Sequence, residues 1–212
     1  MTSNKLHDNA AFEQVLVLEH DAMIAFIQKE LAQPHPLIRQ FVQFNWLFTL
    51  GSLVYAGWQL YHGILPPGPM ILHFFLGIML SMTLLILVHE GIHGLVYRLV
   101  GAPSVQFGGS FRKMYFYAVA DHHVLKSRQF RWVALAPFVL ILLVGMVLVL
   151  LVAPIFQWVL LGLILVHNWN CIGDFVMLGY LERFYPAEVY TYDDVEAGKS
   201  YFFTEKSSNE LE

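Results

Sequence analysis

Cysteine occurs once in 212 residues, at Cys171, so the chain closes no internal disulfide and builds no thiolate zinc cage. Any metal has to be held by imidazoles and carboxylates. Charge is scarce as well: 13% of the residues are Asp, Glu, Lys or Arg, and the net charge is -4 at pH 7. No basic cluster interleaves with aromatic residues, so nucleic acid is not an expected partner. The N-terminus lacks a basic stretch running directly into an apolar one with a small-residue cleavage site, so the first membrane helix is expected to serve as a signal anchor. Long polar connections are missing too, which leaves no room for a second folded domain.

Apolar residues fill the space left by charge. They make up 57% of the chain and give a mean hydropathy of +0.56, which places it among integral membrane proteins. Four stretches reach the length of about 20 residues that a membrane-crossing helix needs: 41–61, 70–97, 132–152 and 155–181. Pro66, Pro67 and Pro69 break the first from the second, and Ala153-Pro154 breaks the third from the fourth. All 12 Lys and Arg lie before the first stretch, between the second and third, or after the fourth. Both termini and the middle loop are therefore expected on the cytoplasmic side, as an even number of spans requires.

The fold class expected is an all-α integral membrane protein of about four transmembrane helices, with a small β-hairpin in the cytoplasmic loop before the third. Gly108-Gly109, flanked by alternating and aromatic residues in 106–120, suggests that hairpin. Residues 10–31 carry Phe12, Leu16, Met23, Phe26, Ile27 and Leu31 among acids, the pattern of a helix with one apolar face at the cytoplasmic interface or against the bundle. The organisation read is thus an N-terminal interfacial helix in 1–40, a transmembrane core in 41–182 and a cytoplasmic tail in 183–212, solvated from Asp193 onward.

The chemistry is concentrated in His89-Glu90-Gly91-Ile92-His93, at the end of the second stretch. Residues four apart share a helix face, so His89 and His93 can reach one Zn²⁺ while Glu90 acts on a metal-bound water. A catalytic zinc needs a third protein ligand and an open position. Asp174 is the one acid inside the fourth apolar stretch before Glu182, and a carboxylate at membrane depth is a functional candidate by default. His89 and Asp174 each lie about 19 residues past the start of parallel spans, which at about 1.5 Å per residue puts them at nearly equal depth. His167 and Asn170, seven and four residues before Asp174, share its face and can orient a ligand or hold substrate, or simply bond between helices.

The His-Glu-x-x-His pentapeptide with Gly173-Asp174 on a later span resembles the site-2 class of intramembrane metalloproteases. More closely it resembles the related putative zincin peptidase family of small bacterial membrane proteins, over about 72–181 and including Ala134-Leu135-Ala136-Pro137. The resemblance implies metal ligands His89, His93 and Asp174, Glu90 as general base, and peptide hydrolysis in or near transmembrane segments by a Glu-activated zinc-bound water. It also implies a bacterial inner-membrane location, a membrane-protein or peptide substrate, and no cofactor beyond Zn²⁺, which suits two imidazoles and a carboxylate. A homodimer stays open. The site-2 signature Asn-x-x-Pro-x-x-x-Leu-Asp-Gly is not reproduced: the order here is Gly173-Asp174, and the nearest asparagines are Asn168 and Asn170.

Two other classes compete. One is a catalytically silent metal-binding scaffold or partner subunit, against which the intact Glu90 argues. The other is a di-metal oxidative enzyme, for which the available histidines, His89, His93, His167 and the loop pair His122-His123, are too few.

Overall fold

Proline starts three of the long helices, at Pro36, Pro67 and Pro154, its missing N–H falling where a helix has no acceptor to offer. The computed structural model describes residues 3–8, 11–110 and 115–206. A short helix α1 (Ser3–Asp8) precedes strand β1 (Phe12–Glu19) and helix α2 (Met23–Ala32). Helix α3 (Pro36–Tyr61) begins at Pro36, with His35 Nδ1 accepting from Leu37 N–H at 3.3 Å. Helix α4 (Pro67–Leu80) passes through a π-helical turn, Ser81–Leu85, into α5 (Ile86–Leu99). Strands β2 (Gln106–Ser110), β3 (Tyr115–Val119) and β4 (Leu125–Lys126) follow. Then come α6 (Ser127–Leu151), α7 (Pro154–Asn170), α8 (Ile172–Glu182), β5 (Val189–Asp194) and β6 (Lys199–Glu205).

The molecule is mostly helical. Three helical runs are long and apolar enough to cross a membrane: Pro67–Leu99, Ser127–Leu151 and Pro154–Glu182. Helix α3 spans 26 residues but carries Arg39, Gln40, Gln43, Asn45 and Gln59, which dilute its hydropathy. The last run is bent: Cys171 has ψ near 2°, which ends α7 and opens α8.

Close approach of backbones holds the bundle together. A Cβ on Gly77 of α4 would stand 2.0 Å from the Val159 carbonyl, and one on Gly162 of α7 would stand 2.3 Å from the Phe74 carbonyl, so each glycine receives the other helix's main chain. In lipid, where burial of apolar area offers little drive between helices, such small-residue contacts and interhelical hydrogen bonds carry association. A polar knot supplies the bonds. Trp158 Nε1 donates to Gln59 Oε1 (2.9 Å), Gln59 Nε2 donates to Gln157 Oε1 (3.0 Å), and Tyr55 O–H donates to the same oxygen (2.7 Å), joining α3 to α7.

Three sequence expectations need correction. Residues 10–31 are not one helix: Phe12–Glu19 is a strand, because it pairs antiparallel with β6, Phe12 opposite Glu205 and Glu19 opposite Lys199. That partner lies almost a full chain length away and leaves no local trace. The segment after Asp193 is not a solvated tail: β5 and β6 complete a four-stranded sheet of order β1-β6-β5-β4, turning at Gly198 with φ of 65°. Residues 207–212 fall outside the described residues. Gly108 and Gly109 do not form a turn but sit inside β2, opposite Tyr117 and Phe116, where a Cβ on Gly108 would meet the Tyr117 hydroxyl at 2.3 Å.

The sheet packs beneath α8 and α2 through Leu18, Met177, Leu181, Val189 and Phe202. Arg183 bridges Glu30 at 2.5 Å, and Arg131 pairs with Glu182, fastening α2 and α6 to the end of α8. If the α4–α7 contact is the principal joint of the bundle, Gly162→Val will cost about 3 kcal/mol by overpacking. Gly51→Val, on a face with nothing within 4 Å, will leave the thermal unfolding midpoint in detergent unchanged; equal midpoints for the two variants would refute the assignment.

Candidate metal centre and active site

His89 and His93 stand one turn apart on α5, so their rings project to the same side, with Nε2 atoms 2.9 Å apart. The bend at Cys171 turns the first residues of α8 toward them. Asp174 Oδ2 comes to 3.4 Å from His89 Nε2, and Oδ1 to 3.5 Å from His93 Nε2. The structure therefore brings together three side chains that are 85 positions apart at the extremes (174 − 89) in the sequence.

The supporting contacts decide what those atoms are. His93 Nδ1 lies 2.9 Å from the Val133 carbonyl, which can only accept, so Nδ1 carries the ring proton and Nε2 keeps its lone pair. That carbonyl is available because Pro137 sits four residues further along α6 and has no N–H to give it. His89 Nδ1 lies 3.1 Å from His167 Nε2, and donation along that bond likewise leaves His89 Nε2 as an acceptor. Two imidazole lone pairs and a carboxylate thus face one another across 2.9 to 3.5 Å. A cation bound at about 2.0–2.1 Å in tetrahedral geometry separates its ligands by about 3.3 Å, so the triangle fits a first-row divalent metal. The donor set, two nitrogens and a carboxylate, suits zinc.

Glu90 is half-buried, and its carboxylate shares the space with the two histidines, with one ligand atom from each of the three within 4.8 Å of the others. The Ala118 N–H on β3 donates toward it. All of these groups line a cavity of about 440 Å³ between α2, α5, β3, α6 and α8. Its wall is largely apolar, through Ile24, Ile27, Ile86 and Met177, and β3 borders it through Phe116 and Ala118.

The remaining sequence candidates separate. His167 and Asn170 both line the cavity. Asn168 is fully buried and does not line it, and neither of its amide atoms has a hydrogen-bond partner among the described residues. Cys171 is buried with Sγ 3.6 Å from His167 Nε2, packed behind the ligands. The pair His122-His123 splits: His122 is exposed beside Asp121 and Asp194 at the sheet, whereas His123 faces a smaller cavity of about 140 Å³. In that smaller cavity burial lowers the His123 pKa and raises that of Asp193, whose carboxylate accepts from Ser200 Oγ at 2.5 Å. Sequence reasoning missed the use made of Pro137. The signal was present, a proline inside an apolar span, but only the partner helix shows which carbonyl it frees.

Residues 82–190, just over half of the chain, match the profile of the putative zincin peptidase family. The chain belongs to that family. No curated protein and no solved structure matches it. Membership in the zincin peptidase family points to metallopeptidase activity and to zinc as the metal, and the matched region takes in α5, β2, β3, α6, α7 and α8 whole, while the part of the cavity wall formed by Met23, Ile24, Ile27 and Ser81 lies outside it.

For a zincin with this donor triangle, the purified protein is expected to carry one zinc per chain, lost in both His89→Ala and Asp174→Ala when measured by elemental analysis. Pro137→Ala restores an N–H that competes for the Val133 carbonyl, so it will weaken zinc binding about tenfold or more in a chelator competition while leaving the helix content unchanged. An unaltered zinc affinity in that variant would show that the His93–Val133 contact does not tune the site.

Proposed function

We propose that this zincin is an intramembrane zinc endopeptidase of the site-2 type, hydrolysing peptide bonds in or near transmembrane segments. The observation that carries the reading is the convergence of His89, His93 and Asp174 beside Glu90 at one wall of a largely apolar cavity. His89, His93 and Asp174 would hold the metal. Zinc held there supplies a Lewis acid that acidifies water and polarises a carbonyl.

The chain's own groups do the rest. Glu90 accepts the proton of the attacking water and passes it to the leaving amide nitrogen, a transfer that requires a carboxylate adjacent to the metal and open to the cavity. His167 and the Val133 carbonyl keep the two imidazoles turned with Nε2 inward. Asn170, at the cavity wall, is placed to bond the substrate. A helical substrate has its carbonyls engaged in its own ladder, so it must open locally before it can react. Strand β3, which borders the cavity, is suited to receive it in extended form.

The membrane arrangement belongs to the same reading. Helix α3 turns Leu47, Leu50, Leu53 and Val54 outward, which supports a fourth span alongside the three more apolar runs. With the basic residues where they lie, the termini and the β-sheet face the cytoplasm of a bacterial inner membrane. A membrane protein or peptide is the substrate in this reading; a second copy of the chain is the remaining partner to test by sizing in detergent.

Glu90→Gln is expected to retain about one zinc and to slow cleavage of single-span model substrates at least 100-fold, about the lower end of what a general base contributes. Undiminished cleavage would remove Glu90 from the mechanism. Zinc retained with no cleavage in the wild type, over a broad substrate panel, would favour the silent metal-binding scaffold.

A further inference from the structure

The cavity contains a buried, unpartnered hydroxyl that the proposed hydrolysis does not use. Ser81 lines the same space as His89, Glu90 and Asp174, is 2% exposed, and its Oγ has no hydrogen-bond partner among the described residues. Hydroxyls within apolar helices ordinarily satisfy themselves on the carbonyl one turn back, and this chain does so elsewhere. Thr49 donates to Asn45 O (2.8 Å), Ser52 to Phe48 O (2.9 Å) and Thr83 to Met79 O (2.7 Å). Ser81 is different in that its donor is left unspent in an apolar wall.

The backbone explains where it points. Ser81 opens the π-helical turn Ser81–Leu85 and lies eight residues (89 − 81) before His89. In an unbroken α-helix eight residues leave an offset of about 80° between the two side chains. A π turn advances less per residue than an α turn, so the five residues of Ser81–Leu85 unwind that offset and bring Ser81 round to the face of His89. The fit of Gly77 against the Val159 carbonyl, one turn earlier, fixes the helix at that rotation.

We infer that Ser81 is a substrate-binding residue, whose hydroxyl donates to a main-chain carbonyl of the extended substrate away from the scissile bond. This rests on the endopeptidase reading and adds a second anchoring point to it. With the five residues of the π turn each rising less than an α-helical residue does (about 1.5 Å), Ser81 lies roughly 10 Å along the helix from His89. An extended chain covers that in three or four residues at about 3.3 Å each. Only a carbonyl released from its own helix can accept the bond, so the site requires the substrate to be unwound over that whole length. A substrate that stays helical there leaves the hydroxyl unpaired and is disfavoured.

The test uses the zinc-loaded full chain in detergent and three probes: acetohydroxamate, and two apolar tetrapeptide hydroxamates extending from the zinc-binding group in the N-terminal or the C-terminal direction. Ser81→Ala is expected to weaken one of the two tetrapeptides about five- to tenfold, the loss of one hydrogen bond. Acetohydroxamate binding should be unchanged within about twofold, and the variant should melt no lower than the wild type because it sheds an unpaired buried hydroxyl. Unchanged binding of both tetrapeptides overturns the inference, as does an equal loss for acetohydroxamate, which would place the effect at the metal. Failure of all three probes to bind the wild type would instead overturn the peptidase reading beneath it.

Discussion

Three hydrogen-bond acceptors confined within 3.5 Å of one another, with no proton assigned between them, are the constraint on which the rest of this structure depends. In an apolar interior such groups repel, and removing them from water without a compensating cation is costly. They stay in place because each is held from a different direction. The α6 carbonyl of Val133 grips His93, the α7 imidazole of His167 grips His89, and the bend into α8 delivers Asp174. The bundle and the site therefore define each other: a rotation of any of these helices dissolves the triangle, and a cation held there would relieve the repulsion and clamp α5 to α8.

The departures from regular helix cluster around that point. The π turn at Ser81–Leu85, Pro137 within α6 and the break at Cys171 all lie on helices that reach the cavity. Within a membrane an interrupted ladder is tolerated where protein or a water-filled space receives the freed groups. Here the Pro137 interruption presents a main-chain oxygen to a ligand, the Cys171 bend aims a carboxylate, and the π turn rotates a hydroxyl. Straight, uninterrupted helices of the same composition would satisfy the bilayer and leave the site unassembled.

How much of this is legible in the sequence depends on the range of each interaction. His89, Glu90 and His93 are set by the 3.6-residue period of one helix, and Asp174 stands out because a lone acid in an apolar run demands a reason. Both signals are local, and the structure brings the four side chains together. Pro66, Pro67 and Pro69, and Ala153-Pro154, mark the breaks between apolar stretches as plainly. What could not be read was non-local. Phe12–Glu19 carries apolar residues on both faces, a pattern that fits a helix or a strand until β6 is known to pair with it. The segment after Asp193 looked solvated because its acids hide the burial of Ser200, Phe202 and Phe203. Ser81 gave no signal at all, since a small polar residue in a long apolar span is commonplace.

The four-stranded sheet closes the chain on itself, with β1 from one end bonded to β6 from the other. That pairing sets an order of construction. His89, Glu90, His93 and Asp174 are all synthesised before β6, whereas the sheet cannot form until residue 205 is available, so the platform under α2 and α8 is built after the groups it supports. Contacts this distant in sequence form slowly. A nascent chain thus holds the helices that carry His89, His93 and Asp174 for a time without the floor that packs against α2 and α8. Completion of β6 is the step that sets the sheet beneath α2 and α8, two of the helices that border the cavity.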